Sequence, residues 1–211
     1  IKDINHHTIE LARMNIPENI EEQCRRLKIG YVPMTHSLEK IGDRGRFCYY
    51  ANKRNIKFEI ADPDKTYGLV VVTHRGDLSI WSQYDKGNSK IVYDIVDSYL
   101  AVPRSDIKGL LRGLAKFISR QNRYLQLDHW KAIQSMCKRA DAVICGTQEQ
   151  KEDILPFCSN THIILDAQST IARSQKEDYS SGKTFNLVWQ GLPENIIFFN
   201  EIKDVLQSIK S

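Results

Sequence analysis

The sequence predicts an α/β protein with a doubly wound, mainly parallel sheet, and two observations carry that prediction. Short apolar runs rich in β-branched residues recur along the 211-residue chain, and segments with helical periodicity separate them. Continuous rather than alternating apolar runs suit strands covered on both faces, as in parallel sheets. Their alternation with helices is the pattern of crossover-connected α/β domains.

Taken in order, residues 1–27 form a helical lead-in, where IPENIEEQCRRL has Asn19 placed to cap an acidic first turn. The first four predicted strands are KIGYVPM (28–34), IKFEIA (56–61), YGLVVVT (67–73) and KIVYDIV (90–96). SDIKGLLRGLAKFISRQ then reads as a helix capped by Ser105 or Asp106. Its Ile107, Leu110, Leu111, Leu114, Phe117 and Ile118 share one face, and Lys108, Arg112, Lys116 and Arg120 line the other. DAVICGT (141–147) is a fifth strand, and TQEQKEDILPFC a helix opened by Thr147, with Glu149 and Gln150 close behind and Pro156 limiting its end. HIILDA (162–167) is the sixth strand and FNLVWQG (185–191) the seventh. Between them AQSTIARSQKEDYSSGKT is polar, without a sustained period, and ends in Ser-Ser-Gly, as a linker does. The resulting division is a lead-in at 1–27, a domain at 28–175, a linker at 176–184 and a last βα unit at 185–211. The alternative is that the seventh strand joins the same sheet.

Composition bounds the rest. Apolar and charged fractions of 41% and 27% are those of an ordinary globular protein. No run approaches the roughly 18 apolar residues of a membrane span, and IKDINHHTIELARMN has no apolar core of a signal peptide. The chain starts without an initiator Met, so a leader could have been trimmed from this sequence. Five cysteines (Cys24, Cys48, Cys137, Cys145, Cys158) without C-x-x-C spacing point to reduced thiols in a cytoplasmic compartment rather than to zinc or a disulfide framework. His6-His7 lacks a third ligand, so no metal site is predicted. The net charge of +4 is mild, and its placement matters more than its size.

Parallel sheets bind ligands beyond the carboxyl ends of their strands. Here those ends are polar: Thr35-His36-Ser37, Thr73-His74-Arg75-Gly76-Asp77, Asp97-Ser98-Tyr99, Gly146-Thr147 and Asp166-Ala167-Gln168. His74 is a candidate general base, since imidazole titrates near neutrality, although it is also an ordinary polar residue in many folds. Asp94 and Asp97 are three apart and would point to opposite faces of a strand. Asp97 at the rim is the candidate functional carboxylate, while Asp94 is expected to satisfy buried backbone. Arg75 and Ser98 join the candidate binding set. In GDRGRF, Gly42 and Gly45 can expose backbone N–H groups, and Arg44 and Arg46 offer forked donors for phosphate or carboxylate. The competing reading of that loop is a turn stabilised by Asp43. Neither G-x-G-x-x-G nor a P-loop is present, which counts against a nicotinamide dehydrogenase. The basic helix reads as packed on the sheet with a solvated basic face. The alternative is peripheral contact with anionic lipid through Lys108, Arg112, Lys116 and Arg120, at about 1 kcal/mol per basic residue. No aromatic-rich basic platform points to nucleic acid.

Taken together, the Gly42–Arg46 loop, the strand VYDIVDSYL, RADAVICGTQEQKEDIL leading into HIILDAQS, and FNLVWQG after a polar linker resemble the nucleotide-sugar glycosyltransferases of the GT-B fold, in particular their large retaining group. The resemblance covers roughly residues 28–200. It departs from the family in Thr147, which stands where Ser is usual, and in lacking the late glutamate pair eight positions apart. It implies a Rossmann-like acceptor-side domain, followed here by the first strand and helix of a donor-binding domain. It further implies that Gly42, Asp43, Arg44, Gly45 and Arg46 approach donor phosphate or acceptor, and that His74, Asp97 and Thr147 line the acceptor side. Gly191 matches the place where backbone meets the donor's diphosphate. The implied reaction is glycosyl transfer from a nucleotide-sugar to a hydroxyl acceptor, glycan or lipid-linked, in carbohydrate biosynthesis. No cofactor or metal is implied, and these residues alone are expected to be inactive. Expected localisation is cytoplasmic or at the inner face of a membrane. The apolar face within 196–206 (Ile196, Ile197, Phe199, Ile202, Val205, Leu206) is expected to pack on the first domain or to mediate self-association. A non-catalytic sugar- or phosphate-binding module and a sugar-nucleotide epimerase are the alternatives.

Overall fold

A computed structural model describes residues 26–101, 106–120, 122–126, 128–167, 196 and 199–209. The chain divides into two compact units, Ile1–Ala172 and Arg173–Ser211. In the first, β1 (Ile29–Val32), α1 (Ile41–Arg44), α2 (Phe47–Lys53), β2 (Glu59–Ile60), β3 (Leu69–Thr73), α3 (Leu78–Trp81) and β4 (Lys90–Asp94) follow one another. They lead into α4 (Asp106–Ile118), α5 (His129–Arg139), β5 (Ala142–Cys145), α6 (Gln148–Ile154) and β6 (Thr161–Ile163). Within the second unit α7 (Phe199–Ile209) is described, with Ile202 and Val205 on its surface.

The six strands pair in the order β2-β1-β3-β4-β5-β6, and every pairing is parallel. This is a Rossmann-like α/β fold, and six of the seven predicted strands are in it. The prediction at 185–191 and residues 16–25 of the helix predicted at 16–27 lie outside the described residues. Pro33 has no N–H to add to the ladder, so β1 stops at Val32, short of the predicted run. Only Glu59 and Ile60 of the second run pair, at the sheet edge, where both are exposed.

Alternation along the strands builds two cores. Val70, Val72, Ile91, Tyr93, Val143 and Cys145 point to one face, where Leu78, Trp81, Ile133, Met136, Cys137 and Ile154 from α3, α5 and α6 cover them. On the other face Tyr31 and Val71 pack with Cys48, Phe47 and Phe58, the three aromatic rings with centroids 4.8 to 5.6 Å apart. Asp128 caps α5 by accepting from the Lys131 amide at 3.0 Å, and Thr147 caps α6 as its sequence predicts, accepting from the Gln150 amide at 3.2 Å. Cys48, Cys137, Cys145 and Cys158 are buried free thiols.

The order of strands reverses between β1 and β3. A crevice opens at such a point because the crossovers leave on opposite faces there. Gly76 sits just past β3, where a Cβ would come within 2.9 Å of both Val32 and Val72 side chains. The turn can close against β1 only without a side chain.

One expectation is reversed. The basic helix does not rest on the sheet by its apolar face. In α4, Gly113 is buried and Lys116 partly so, while Leu111, Leu114, Phe117 and Ile118 are exposed. Gly113 lies on the side of α4 that meets the protein, and these four apolar residues are left outward.

Candidate functional site

The GDRGR segment is not a loose loop. Asp43 is fully buried in α1 and accepts from the Tyr31 hydroxyl at 2.7 Å and from the amides of Met34 and Thr35 at 2.8 and 3.2 Å. Its carboxylate therefore holds the exit of β1, and burial together with this partner pushes the Tyr31 hydroxyl well above its ordinary pKa. The stabilised-turn reading of Asp43 describes what this residue does. Gly42 and Arg44 share the same helical turn, with Arg44 exposed.

Arg46 carries the second surprise. It is buried between α1 and α2, and its Nε donates to Asp94 Oδ1 at 2.8 Å and Oδ2 at 3.0 Å. Its Nη1 donates to Asp166 Oδ1 at 2.7 Å, and Nη2 stands 2.6 Å from Asp94 Oδ1. Burial opposes the guanidinium charge, but the hydrogen bonds and charges of Asp94 and then Asp166 outweigh it and hold Arg46 protonated. For Asp94, burial pushes the carboxyl above its usual range against the pull of Arg46. Asp94 therefore does not satisfy backbone, as its sequence position suggested; it neutralises a buried cation. The same clasp extends through backbone: Ala167 N donates to Gly45 O at 2.7 Å, and the Tyr50 hydroxyl to Leu165 O at 3.4 Å. The segment leaving β6 is thus tied across the carboxyl rim to the α1–α2 junction.

His74 follows β3 directly, its amide donating to Asp94 O at 3.0 Å. Its ring lies 5.9 Å from that of Tyr99, which lies 6.0 Å from His129. Burial lowers the His74 pKa to about 4, the Asp97 charge opposing and those of Arg75, Lys116 and Arg46 adding to the drop. At neutral pH the imidazole is uncharged. Its Nδ1 is buried without a protein hydrogen-bond partner, as are Thr73 Oγ1 and Tyr93 Oη at the ends of β3 and β4.

Asp97 is exposed at the rim, accepting from the Tyr99 hydroxyl at 2.9 Å. The loop bearing it is fixed by Gln150, whose Nε2 donates to the carbonyls of Ile95 and Asp97 at 3.1 and 3.0 Å. Gln150 Oε1 accepts from Gly146 N at 2.8 Å, so one buried side chain joins the exits of β4 and β5. On the other flank Asp77 caps α3 through Ser79 N at 3.0 Å and accepts from Arg123 N at 2.6 Å, drawing the end of α4 onto the β3 exit.

The fold therefore brings His74, Asp97, Arg46, Asp94 and Asp166 to one rim. Arg75, Ser98 and Thr147 are exposed on it. Gly191 lies outside the described residues. Sequence reasoning named Asp166 only as a polar strand end and Gln150 only beside a helix cap, without their partners. Gln150 was legible as an N3 residue after a Thr cap, but its reach to the neighbouring loop was not. The surface here, lined by Ile95, Asp97, Ser98, Tyr99, Gln150 and Asp153 among others, dips without room for a water molecule. A larger depression of about 410 Å³, lined by residues from Ala51 to Phe58, is where the chain enters β2, at the opposite end of the sheet. Among the described residues no three His, Cys, Asp or Glu side chains gather as metal ligands. No helix there is long and apolar enough to cross a membrane. No family model, curated protein or solved structure matches the chain.

Proposed function

We propose that the chain is the acceptor-side part of a cytoplasmic GT-B glycosyltransferase, which moves a sugar from a nucleotide-sugar to a hydroxyl acceptor. The observation that carries this reading is His74: an uncharged, largely buried imidazole at the β3 exit, beside the carboxylate of Asp97 and next to the sheet's switch point. A neutral imidazole exchanges hydrogen bonds with a hydroxyl and has no charge with which to prefer phosphate. With a pKa near 4 it is a weak base at pH 7, so in this reading it orients the acceptor hydroxyl rather than removing its proton.

Arg46 is neutralised by Asp94 and Asp166, so its part is to keep the rim assembled. Arg44 and Arg75, both exposed, are the arginines of this unit proposed to meet phosphate. Gly191 keeps the role that the resemblance implies, backbone approach to the donor's diphosphate. Oriented donors would then meet the leaving phosphate as oxocarbenium-like charge develops on the sugar.

The test is transfer of radiolabel from a panel of sugar nucleotides to hydroxyl acceptors by the protein expressed from its complete reading frame. Transfer should occur with one donor, and His74→Ala should lower it about a hundredfold, the size seen when one oriented donor is removed. Binding of sugars without transfer from any donor would replace the proposal with that of a binding module.

A further inference from the structure

We propose that the outward face of α4 and the turn after it, residues 111–125, is a docking surface for a bilayer rich in anionic lipid. Six large apolar side chains are exposed in this short stretch: Leu111, Leu114, Phe117, Ile118, Tyr124 and Leu125, with Ile118 at 71% and Leu111 at 59%. Elsewhere among the described residues of the first unit, exposed apolar residues are scattered singly, as is ordinary.

Charge identifies the occupant. Among the described exposed residues from 111 to 126, Arg120 and Arg123 are basic and none is acidic. A second copy docking face to face would set these like charges against each other, which disfavours self-association. An anionic bilayer complements both halves of the surface. The apolar residues enter the acyl boundary while the long basic side chains spread to the headgroups, the arrangement of interfacial amphipathic helices. Anchorage is also supplied: Arg123 N is held by Asp77 and Tyr124 N by Ser79 Oγ at 3.1 Å, so the surface is fixed to the β3 exit. This inference does not depend on which reaction the rim performs.

The experiment is sedimentation with vesicles of phosphatidylcholine alone and of phosphatidylcholine with 30% phosphatidylglycerol, at about 0.1 M salt. The protein should bind the anionic vesicles at least tenfold more tightly than the neutral ones. Each basic residue near such a surface is worth roughly fivefold, so Arg120→Gln with Arg123→Gln should weaken binding roughly twenty- to thirtyfold. Leu114→Glu with Phe117→Glu should abolish it. Both pairs alter exposed positions, and unchanged thermal melting would establish that the variants fold. Absence of binding, or equal binding to both vesicles, would overturn the proposal. So would a concentration-dependent dimer that Leu114→Glu dissolves, because a second copy would then be the occupant.

Discussion

His74 shows how one buried side chain can set a pH limit. Its pKa is near 4 in the fold and about 6.5 when exposed, so the unfolded chain binds the proton more readily between those values. The stability linked to this residue is therefore complete above pH 6.5 and drains away as pH falls toward 4. Its full size is about 3 kcal/mol. Urea midpoints should fall across that window, and His74→Asn should flatten that part of the curve. Arg46 makes a different prediction. Replacing it with Met strands Asp94 in the interior and should cost about 3–5 kcal/mol, read by thermal or urea unfolding. Asp166 is partly exposed, so Asp166→Asn should cost clearly less. The sequence made Arg46 visible only as a donor in a glycine-rich stretch. The carboxylates that claim it lie 48 and 120 residues away, and no local pattern encodes such a partner.

At the scale of elements, what was legible depended on how local the cause was. The Thr147 cap and the helix it opens follow from four adjacent residues, and the structure has them. The β-branched run at 67–73 is equally plain. Helix α5 was harder, because HWKAIQSMCKR shows only a modest apolar stripe, yet its Ile133, Met136 and Cys137 are among the most buried side chains. Met136→Ala should therefore cost about 2–5 kcal/mol in unfolding free energy. Thr147→Ala should cost nearer 1 kcal/mol, the usual worth of a cap. Helix α4 misled for a physical reason. An amphipathic period gives the apolar face but not what covers it, and here Gly113 is buried while Leu111 and Leu114 are exposed. Gln150→Leu should test the link between the β4 and β5 exits. It removes the three hydrogen bonds to Ile95, Asp97 and Gly146 and should loosen the Asp97 loop, seen as faster amide exchange there.

For the whole molecule, the fold places its chemistry by topology. Six parallel strands send their carboxyl ends to one rim, and the reversal of order between β1 and β3 opens it. His74 lies at that reversal, and the clasp from Arg46 to Asp94 and Asp166 ties the first and last parts of the sheet across it. The class of fold could be read from alternating runs because burial on both faces forces continuous apolar strands. The assembled rim could not, since its members come from the ends of five different strands. We propose that this rim receives a hydroxyl-rich acceptor. The most direct measurement of this is NMR titration of the protein, with histidine side chains labelled, against a panel of glycosides and free nucleotides. A glycoside should shift the His74 ring signals with saturation, and His74→Ala should abolish its binding. Free nucleotides should leave those signals unmoved. Tight nucleotide binding at His74, or glycoside binding unaltered in His74→Ala, would contradict it.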